Sequence, residues 1–560
     1  MKINNYLKFA TAGAFSAALG LFGCSDALLE EKPPHLITSE TLYTSYAGLD
    51  AGVNGLYAAV RTELEGLNGS SAQVSDTFMN GTDNVVTNHS VAGYNSLAQG
   101  FGSAYNPSVS YFSDIFEWLY RVVNASNTII NQVNEKGNEI NWNGGVGTPA
   151  ENKNRILAEA HAVRAWAYRH LSFLWGDVPL NLNTALGSTI RTDWERTPVA
   201  SVRKQIIADL SFAEKHLPVE GTRPGRMTKG AVQHYLSEMY LTVNKADSAL
   251  YWAEKVIANP AYRLITKRYG VKAAQPGVPF MDMFYEGNSN RAEGNTEALW
   301  VFQFEFQVNG GGEGNMRRHH ISRYSTIRVG SVTPLQLTVD RGGQGYGRMS
   351  LTKWAIDCYE PQDDRASNHA IRKYFILQDK DANAPFDADR LPAGYNYGDT
   401  IKLNWANDIT NTSRGRADWP FSRKYDWANK DNVGGNPQYN DQIYLRLADT
   451  YLLKAEAEFK QGKLSEAAET INVIRRRSNA TPVTADQLTL DFILDERSRE
   501  LVLEEHRRYT LLRNDKWKER TARYNKNGGQ FVEDKHVLFP IPQSVIDANL
   551  TGEFTQNSGY

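Results

Sequence analysis

"YLLKAEAEFKQGKLSEAAETINVI" (451–474) and "HYLSEMYLTVNKADSALYWAEKVI" (234–257) share one layout. Phe459, Gly462 and Ala467 in the first keep the spacing of Leu241, Asn244 and Ala249 in the second. Each stretch reads as helix, tight turn, helix, with a small residue after the turn where the two helices come close. This is the layout of a tetratricopeptide-type hairpin, whose repeats run to about 34 residues. A single hairpin cannot bury its own apolar face and must stack on neighbours. "SVRKQIIADLSFAEKHL" (201–217) supplies a helix before the first hairpin, and "LDFILDERSRELVLEEHRRYTLLRND" (490–515) one after the second.

Working outward, Leu49, Val53, Leu56, Tyr57 and Val60 mark one face of an early helix. "YFSDIFEWLYRVVNASNTIINQV" (111–133) and "NRILAEAHAVRAWAYRHLSFLWG" (154–176) are further helices, the second with a stripe of Val163, Trp166, Ala167, His170, Leu171 and Leu174. His170 on that stripe reads as a packed core histidine, and Gly176 as a helix stop. Residues 66–108 carry Gly, Asn and Ser without a period and read as a long loop or several. Residues 260–440 change character. "EALWVFQFEFQV" (297–308) alternates like a strand, and "GGQGYGR" (342–348) and "NTSRGRADWPFSRKYDW" (411–427) read as irregular, aromatic-rich segments on a helical scaffold.

The formal net charge is −2 with no basic block, which argues against nucleic acid as a partner. The chain begins with Lys2 and Lys8, then an uncharged run from Phe9 to Gly23. That run is shorter than the ~20 apolar residues a membrane span needs, and it fits a secretory signal. Cys24 follows in "LFGC" (21–24), similar to the lipobox of bacterial lipoproteins, where cleavage precedes a lipidated cysteine. Acyl chains give about 0.8 kcal/mol per buried methylene, enough to hold a protein on a membrane when more than one is present. The alternative, a disulfide from Cys24 to Cys358, would place a staple on a flexible tether; Cys358 reads instead as a small core residue.

Several blocks, in order, resemble the SusD/RagB outer-membrane nutrient-binding lipoproteins of Bacteroidetes. They are the Gly-x-Val-Pro-Leu turn after the helix at 158–180, the Thr-Lys-x-Ala helix at 225–241, three consecutive blocks at 444–459, 467–480 and 493–515, and the ending at 536–560 with Pro-Ile-Pro and Gln-Asn-x-Gly-Tyr. Phe116 stands where the family usually has Trp, followed by Tyr120 and Asn127, and the final motif reads Asn557-Ser558-Gly559-Tyr560. The resemblance implies a mainly α fold: a SusD-like α/α superhelix of tetratricopeptide-like pairs supporting a loop-rich region with a few short strands. It implies a signal peptide at 1–23, a lipidated tether at 24–36, an N-terminal helical part at 37–260, a loop-rich ligand region at 261–440 and a C-terminal helical part at 441–560. It also implies a lipid anchor on the outer membrane facing outward, a SusC-type TonB-dependent transporter as partner, and a glycan cargo bound without chemistry. Peptide capture and a surface glycoside hydrolase are the rival functions, and a purely protein-binding scaffold is a third.

Chemistry-bearing motifs are sparse. A glycosidase needs two carboxylates about 5–9.5 Å apart, whereas Glu496 with Arg499 and Glu504 with Arg508 have the spacing of helical ion pairs. His319 and His320 are adjacent and should point apart; HExxH, CxxC, EF-hand and GxSxG signatures do not occur. No cofactor and no metal are implied, and a calcium held by scattered Asp and backbone carbonyls would leave no readable signature.

A sugar offers an apolar C–H face and a rim of hydroxyls, which suit aromatic rings with Asn, Asp and Arg on loops. Three segments supply that mixture, with ten candidate residues: Asn80, Asp83, Asn84, Tyr94 and Tyr105; Arg317, Tyr324 and Tyr346; Trp405 and Trp419; Asp76, Arg318 and Arg416 lie in the same segments and add to the mixture. The resemblance favours the first two. On this reading, replacing Tyr94 or Tyr346 with Ala weakens ligand binding and leaves the fold intact.

Overall fold

The computed structural model describes residues 39–67, 74–89, 94–102, 105–185, 191–378, 391–410 and 415–560. Cys24, the signal and the tether lie outside the described residues. The principal helices are α1 (Tyr46–Glu65), α2 (Ser110–Lys136), α3 (Pro149–Leu174), α4 (Val199–His216), α5 (Lys229–Thr242) and α6 (Ala246–Ile257) in the first half. In the second half they are α7 (Leu447–Lys460), α8 (Leu464–Arg477), α9 (Leu490–Leu501), α10 (Arg507–Arg513) and α11 (Trp517–Tyr524). Between and around them run short antiparallel ladders. β1 (Val85–Thr87) pairs with β3 (Met349–Leu351), β2 (Ala298–Phe302) with β8 (Gln442–Arg446), β4 (Ile371–Arg372) with β7 (Phe421–Ser422), and β5 (Tyr374–Ile376) with β6 (Thr400–Lys402). The mainly α reading stands. Among the described residues, no helix is long and apolar enough to cross a membrane.

The two hairpins are α5–α6 and α7–α8. Asn244 and Gly462 both take the left-handed backbone at their turns, with φ of 57° and 74°, a conformation that Gly and Asn adopt at low cost. Ala249 and Ala467 are fully buried just after the turns. The hairpins lie about 200 residues apart in sequence yet stack, sharing a cluster of Leu241, Ala249, Leu453 and Ala457. The face of α1 marked by Leu49, Val53, Leu56 and Val60 is buried as its period requires. Helix α3 goes further than a stripe: it packs on α1, α2 and α4 and is buried on nearly every side. Its polar groups are therefore paired, Arg164 with Asp209 at 2.8 Å and Arg169 with Glu238 at 2.5 Å. His170 is fully buried, its Nδ1 at 2.9 Å from the Tyr509 hydroxyl.

The Gly-x-Val-Pro-Leu turn is held from α2. Tyr120 donates to the Pro179 carbonyl at 2.7 Å, and Asn127 to those of Asn181 and Asn183 at 3.0 and 3.1 Å. The C-terminal strap closes the same end: Trp175 Nε1 donates to the Pro540 carbonyl at 2.9 Å, and Asn557 to the Phe539 carbonyl at 2.8 Å. Thr228 starts α5, its hydroxyl accepting from Ala231 N at 3.1 Å while donating to the Leu299 carbonyl of β2 at 2.8 Å.

Two readings need correction. The segment at 66–108 contains β1 and two short helices, Asp76–Met79 and Tyr94–Gly100, rather than loop alone. The 490–515 segment is two helices. Lys424 Nζ takes the carbonyls of Glu500 and Val502, both at 3.0 Å, and Tyr425 takes that of Leu503 at 2.7 Å. Carbonyls engaged by side chains from the middle of the chain no longer serve a continuing helix, and Leu503 turns at φ 64°. Glu496–Arg499 is an ion pair at 2.9 Å as its spacing suggests, but Glu504 binds Arg446 and Lys424, and Arg508 lies over Trp517.

A buried ionic network fills the junction of α8, α9, β8 and the mid-chain loops. Arg446 contacts Glu500 at 2.6 Å, Glu504 at 2.5 Å and Glu297 at 3.3 Å. Arg365, from the Asp-Arg turn, binds Asp363, Glu496 and Glu500 at 2.8–3.0 Å, and Arg477 binds Glu297 and Glu500. Burial opposes ionisation of Glu496, yet Arg365, Arg499 and Arg475 hold it at about 2; burial likewise opposes Glu500, which Arg477, Arg446 and Arg365 keep well below the usual carboxylate range. Removing one member of such a cluster leaves an unpaired buried charge. Glu500→Gln should therefore destabilise the fold by about 3–5 kcal/mol, read as a shift in the urea midpoint. The folded pKa of Glu496 lies below its unfolded value of about 4.5. Its stabilisation is therefore present above that value and lost as pH falls toward 2, so urea titrations at pH 5 and pH 2.5 should show falling stability.

Candidate functional site

The ten side chains expected at a ligand surface divide sharply. Asn80, Asp83, Asn84, Tyr94, Tyr105, Arg317, Tyr324 and Trp419 are all buried, none more than 2% exposed. Tyr346 and Trp405 alone among them reach the surface, each half-buried. The buried eight have internal work. Asp83 receives Arg507 at 2.7 Å and Arg520 at 2.6 Å. Burial alone would raise its pKa, but the two guanidinium groups hold it below the ordinary value. Asn80 donates to the Thr87 hydroxyl at 2.8 Å, and the main-chain carbonyl of Asn84 accepts from Thr352 N at 2.9 Å. Tyr94 and Tyr105 pack in an aromatic group with Tyr111, Phe112 and Phe539. Tyr324 packs on Phe375, and Trp419 Nε1 donates to the Leu351 carbonyl at 2.8 Å. Arg317 collects main-chain carbonyls, Gln344 and Gly435 at 2.5 Å and Asn436 at 2.9 Å, and burial with Arg318 alongside draws its pKa down to about 10. These residues shape loops and do not present themselves to a ligand.

The three segments do converge, through their backbones. Pairing of β1 with β3 places Asn88 and His89 against Arg348, whose carbonyl accepts from both amides at 2.9 and 3.1 Å. Tyr346 N donates to the Arg318 carbonyl at 2.9 Å, and Gly347 N to that of Ile321 at 2.8 Å. A Cβ on Gly345 would stand 2.1 Å from the Ile321 carbonyl oxygen, so this close approach requires glycine. On the other side Asn88 is clasped by the third segment: its carbonyl accepts from Gly415 N at 2.8 Å, and its side chain donates to the Arg416 carbonyl at 3.0 Å. Arg416 lies over Trp419 and bonds the carbonyl of Asn404, next to Trp405. Trp405 Nε1 itself donates to Asp357 at 3.0 Å.

The surface so formed carries His89 and Arg323, both exposed, with Tyr346, Arg318, Arg416 and Trp405 half-buried. Three guanidinium groups surround the Tyr346 ring: Arg318 at 4.6 Å from its centroid, Arg348 at 5.7 Å and Arg323 at 5.9 Å. Behind them Arg348 Nη1 meets His319 Nε2 at 2.9 Å, and His319 Nδ1 meets Asp76 at 2.9 Å. Burial first, and Arg318 second, lower the pKa of Arg348. His320 instead stacks on Tyr425, so the adjacent histidines do part. Sequence reasoning missed His89, Arg323 and Arg348. Their signal lay in the glycines of "GGQGYGR", which mark a backbone pressed against another loop.

Two other surface features are less suited to a flat ligand. Phe306, Tyr439 and Trp427 meet at steep angles of 61° and 77° and offer no common plane. A cleft of about 390 Å³ between Phe116, Tyr120, Trp194 and Val545 draws on none of the three converging segments.

With this geometry in view, the chain's likenesses fall into one group. Residues 296–560 match the model of the SusD family, and residues 29–241 match one described as starch-binding associating with outer membrane. The chain is 26% identical to SusD-like protein P25 of Formosa agariphila across the whole of both chains. Over 120 residues, 21% of each chain, it is 35% identical to the starch-binding protein SusD of Bacteroides thetaiotaomicron. Its fold matches a SusD superfamily protein of Parabacteroides distasonis with a TM-score of 0.67 at 20% identity, covering 94% of this chain and all of that one. A helical scaffold of tetratricopeptide-like pairs supporting a loop-rich region defines a class of folds, and within it this chain, matched by two SusD-type family models over residues 29–241 and 296–560, belongs to the SusD family.

The buried placements change what mutations should do. Tyr94→Ala removes a ring from the aromatic core and should cost about 3–5 kcal/mol of stability. Asp83→Asn should cost a similar amount by stranding Arg507 and Arg520. Thermal and urea unfolding of both variants, beside Tyr346→Ala, checks this: the first two should fall well below the parent and the third should stay within about 1 kcal/mol of it.

Proposed function

We propose that the protein is a cell-surface lipoprotein, anchored on the outer membrane through lipid on Cys24, that captures a glycan and passes it to a SusC-type TonB-dependent transporter. The observation that supports this reading is the convergence of three loop segments on one exposed face around Tyr346, carried on the SusD scaffold. The face combines a half-buried ring, an indole and several guanidinium groups, the donors and apolar area that a saccharide meets. The family model matched at 29–241 and the starch-binding relative, by their descriptions, support the same cargo class.

The reading is non-catalytic. Among the described residues, the carboxylates beside the face are engaged: Asp76 with His319, Asp83 with Arg507 and Arg520, Asp357 with Lys353 and Trp405, and Asp418 with Arg416 at 3.3 Å. A glycosidase would need one carboxyl free to protonate a leaving oxygen and a second opposite it. Delivery follows from attachment: a tethered binder concentrates cargo beside a transporter in the same membrane.

Gel retardation against a panel of polysaccharides, followed by calorimetry with oligosaccharides, tests capture. A retained polysaccharide, with Tyr346→Ala weakening it about five- to tenfold without loss of stability, is the expected result, since a single ring contact supplies roughly 1 kcal/mol. Absence of binding to any glycan, with an oligopeptide bound instead, would overturn the reading. In cells, Cys24→Ser should release the protein from the membrane fraction.

A further inference from the structure

Trp354 and Tyr524 form a stacked pair, their ring centroids 4.5 Å apart and their planes 27° from parallel. Trp354 lies on the short helix Lys353–Asp357 and Tyr524 ends α11, so the pair joins two distant parts of the chain. Both rings are half-buried. Among the described residues, neither the indole N–H of Trp354 nor the hydroxyl of Tyr524 has a hydrogen-bond partner, and neither polar atom is enclosed. The indoles of Trp175, Trp419 and Trp517, by contrast, each donate to a main-chain carbonyl. A flat ring with an unused polar tip in reach of solvent matches the apolar C–H face and the hydroxyl rim of a sugar.

The pair is fixed from below. Buried Arg520 binds Asp83 at 2.6 Å, Asp491 at 2.9 Å and Asp495 at 2.5 Å. Its guanidinium lies 5.0 Å from the Trp354 centroid and 5.3 Å from that of Tyr524, so it sits beside the stack and not on an outer face. Thr352 caps the short helix, accepting from Ala355 N at 3.1 Å and donating to the Asp83 carbonyl at 2.6 Å. Asp83 thus positions both rings, one through Thr352 and the other through Arg520. Arg523, exposed, stands 5.0 Å from the Tyr524 centroid. The pair also continues the candidate face. Asp357, three residues beyond Trp354 on the same helix, accepts from Trp405 Nε1 at 3.0 Å, and positions three apart on a helix are neighbours. The chain from Tyr346 to Trp354 spans at most about 26–29 Å. We infer that Trp354 and Tyr524, with Arg523 at the rim, form a second saccharide subsite beside the Tyr346 face, and that the cargo is a glycan chain long enough to engage both. This subsite rests on the glycan-capture reading and extends it.

Gel retardation against amylopectin, laminarin, arabinoxylan, galactomannan and polygalacturonate picks out the retained polysaccharide. Calorimetry of the full mature chain then uses oligosaccharides of that polymer, about three and about eight sugar residues long. The long one should bind about tenfold more tightly than the short one, the gain of one added ring contact. Trp354→Leu keeps apolar contact with the core but loses the flat ring and the donor. In that variant the advantage of length should vanish while the short oligosaccharide, held at the Tyr346 face, binds as before. Trp354→Phe should keep part of the advantage, and Tyr346→Ala should weaken both lengths. Urea unfolding identifies the variants that fold, and Tyr524→Leu reads the same subsite from α11 if Trp354→Leu does not. Equal affinity for the two lengths, or an advantage untouched in both leucine variants, would overturn the inference and leave glycan capture intact. Retention of no polysaccharide would overturn the capture reading itself.

Discussion

The pairing of Arg446 with Glu500 is the contact on which the rest of the architecture depends. It lies where strand β8 enters helix α7 and where helix α9 ends, and neither side chain is more than 1% exposed. Isolated charges cannot sit in such a place, because the loss of hydration far exceeds what one partner returns. The chain meets this by crowding: Arg477 and Arg365 share Glu500, while Glu297 and Glu504 share Arg446. The partners come from the mid-chain region, from β8, from α8 and from the end of α9, so the network joins the second helical half to the mid-chain loops at one point. It also ends α9, since Arg446 and Lys424 both bind the Glu500 carbonyl.

A second ionic knot sits under the candidate face. Asp83 joins the turn before β1 to Arg507 on α10 and Arg520 on α11. Because β1 pairs with β3, fixing Asp83 fixes the edge that carries Arg348 and Tyr346. The two knots share a logic: long-range charge pairs position loops whose own propensity would leave them undefined. An apolar core of equal volume could stabilise as well, but it would not set which carbonyl or amide lies where.

The helical half was largely readable from residue order. Turn residues Asn244 and Gly462, followed by buried Ala249 and Ala467, announce themselves by local spacing because helix pairing is a local event. The Gly-x-Val-Pro-Leu turn likewise betrays itself through Gly176, whose φ is 73°. The candidate face was readable as a set of segments and not as a set of side chains. An Asn, Asp or Arg on a loop has the same appearance whether it faces solvent or a buried partner, and the partners of Asp83 and Arg317 lie hundreds or about a hundred residues away. Helix α9 was overextended for the same reason: its stop is imposed by Lys424 and Tyr425, about 75 residues upstream.

The path of the loop at Tyr346 is set by main-chain hydrogen bonds and by glycines that permit close approach, from Tyr346 N to Arg318, from Gly347 N to Ile321 and from Asn88 N to Arg348. The outward side chains of His89, Arg323 and Tyr346 contribute little to that path. Shape and chemistry are thus separated at this face, the one written in backbone and the other in replaceable side chains. Such a division means that the chemistry displayed here can be altered at a few surface positions while the scaffold that presents them keeps its shape.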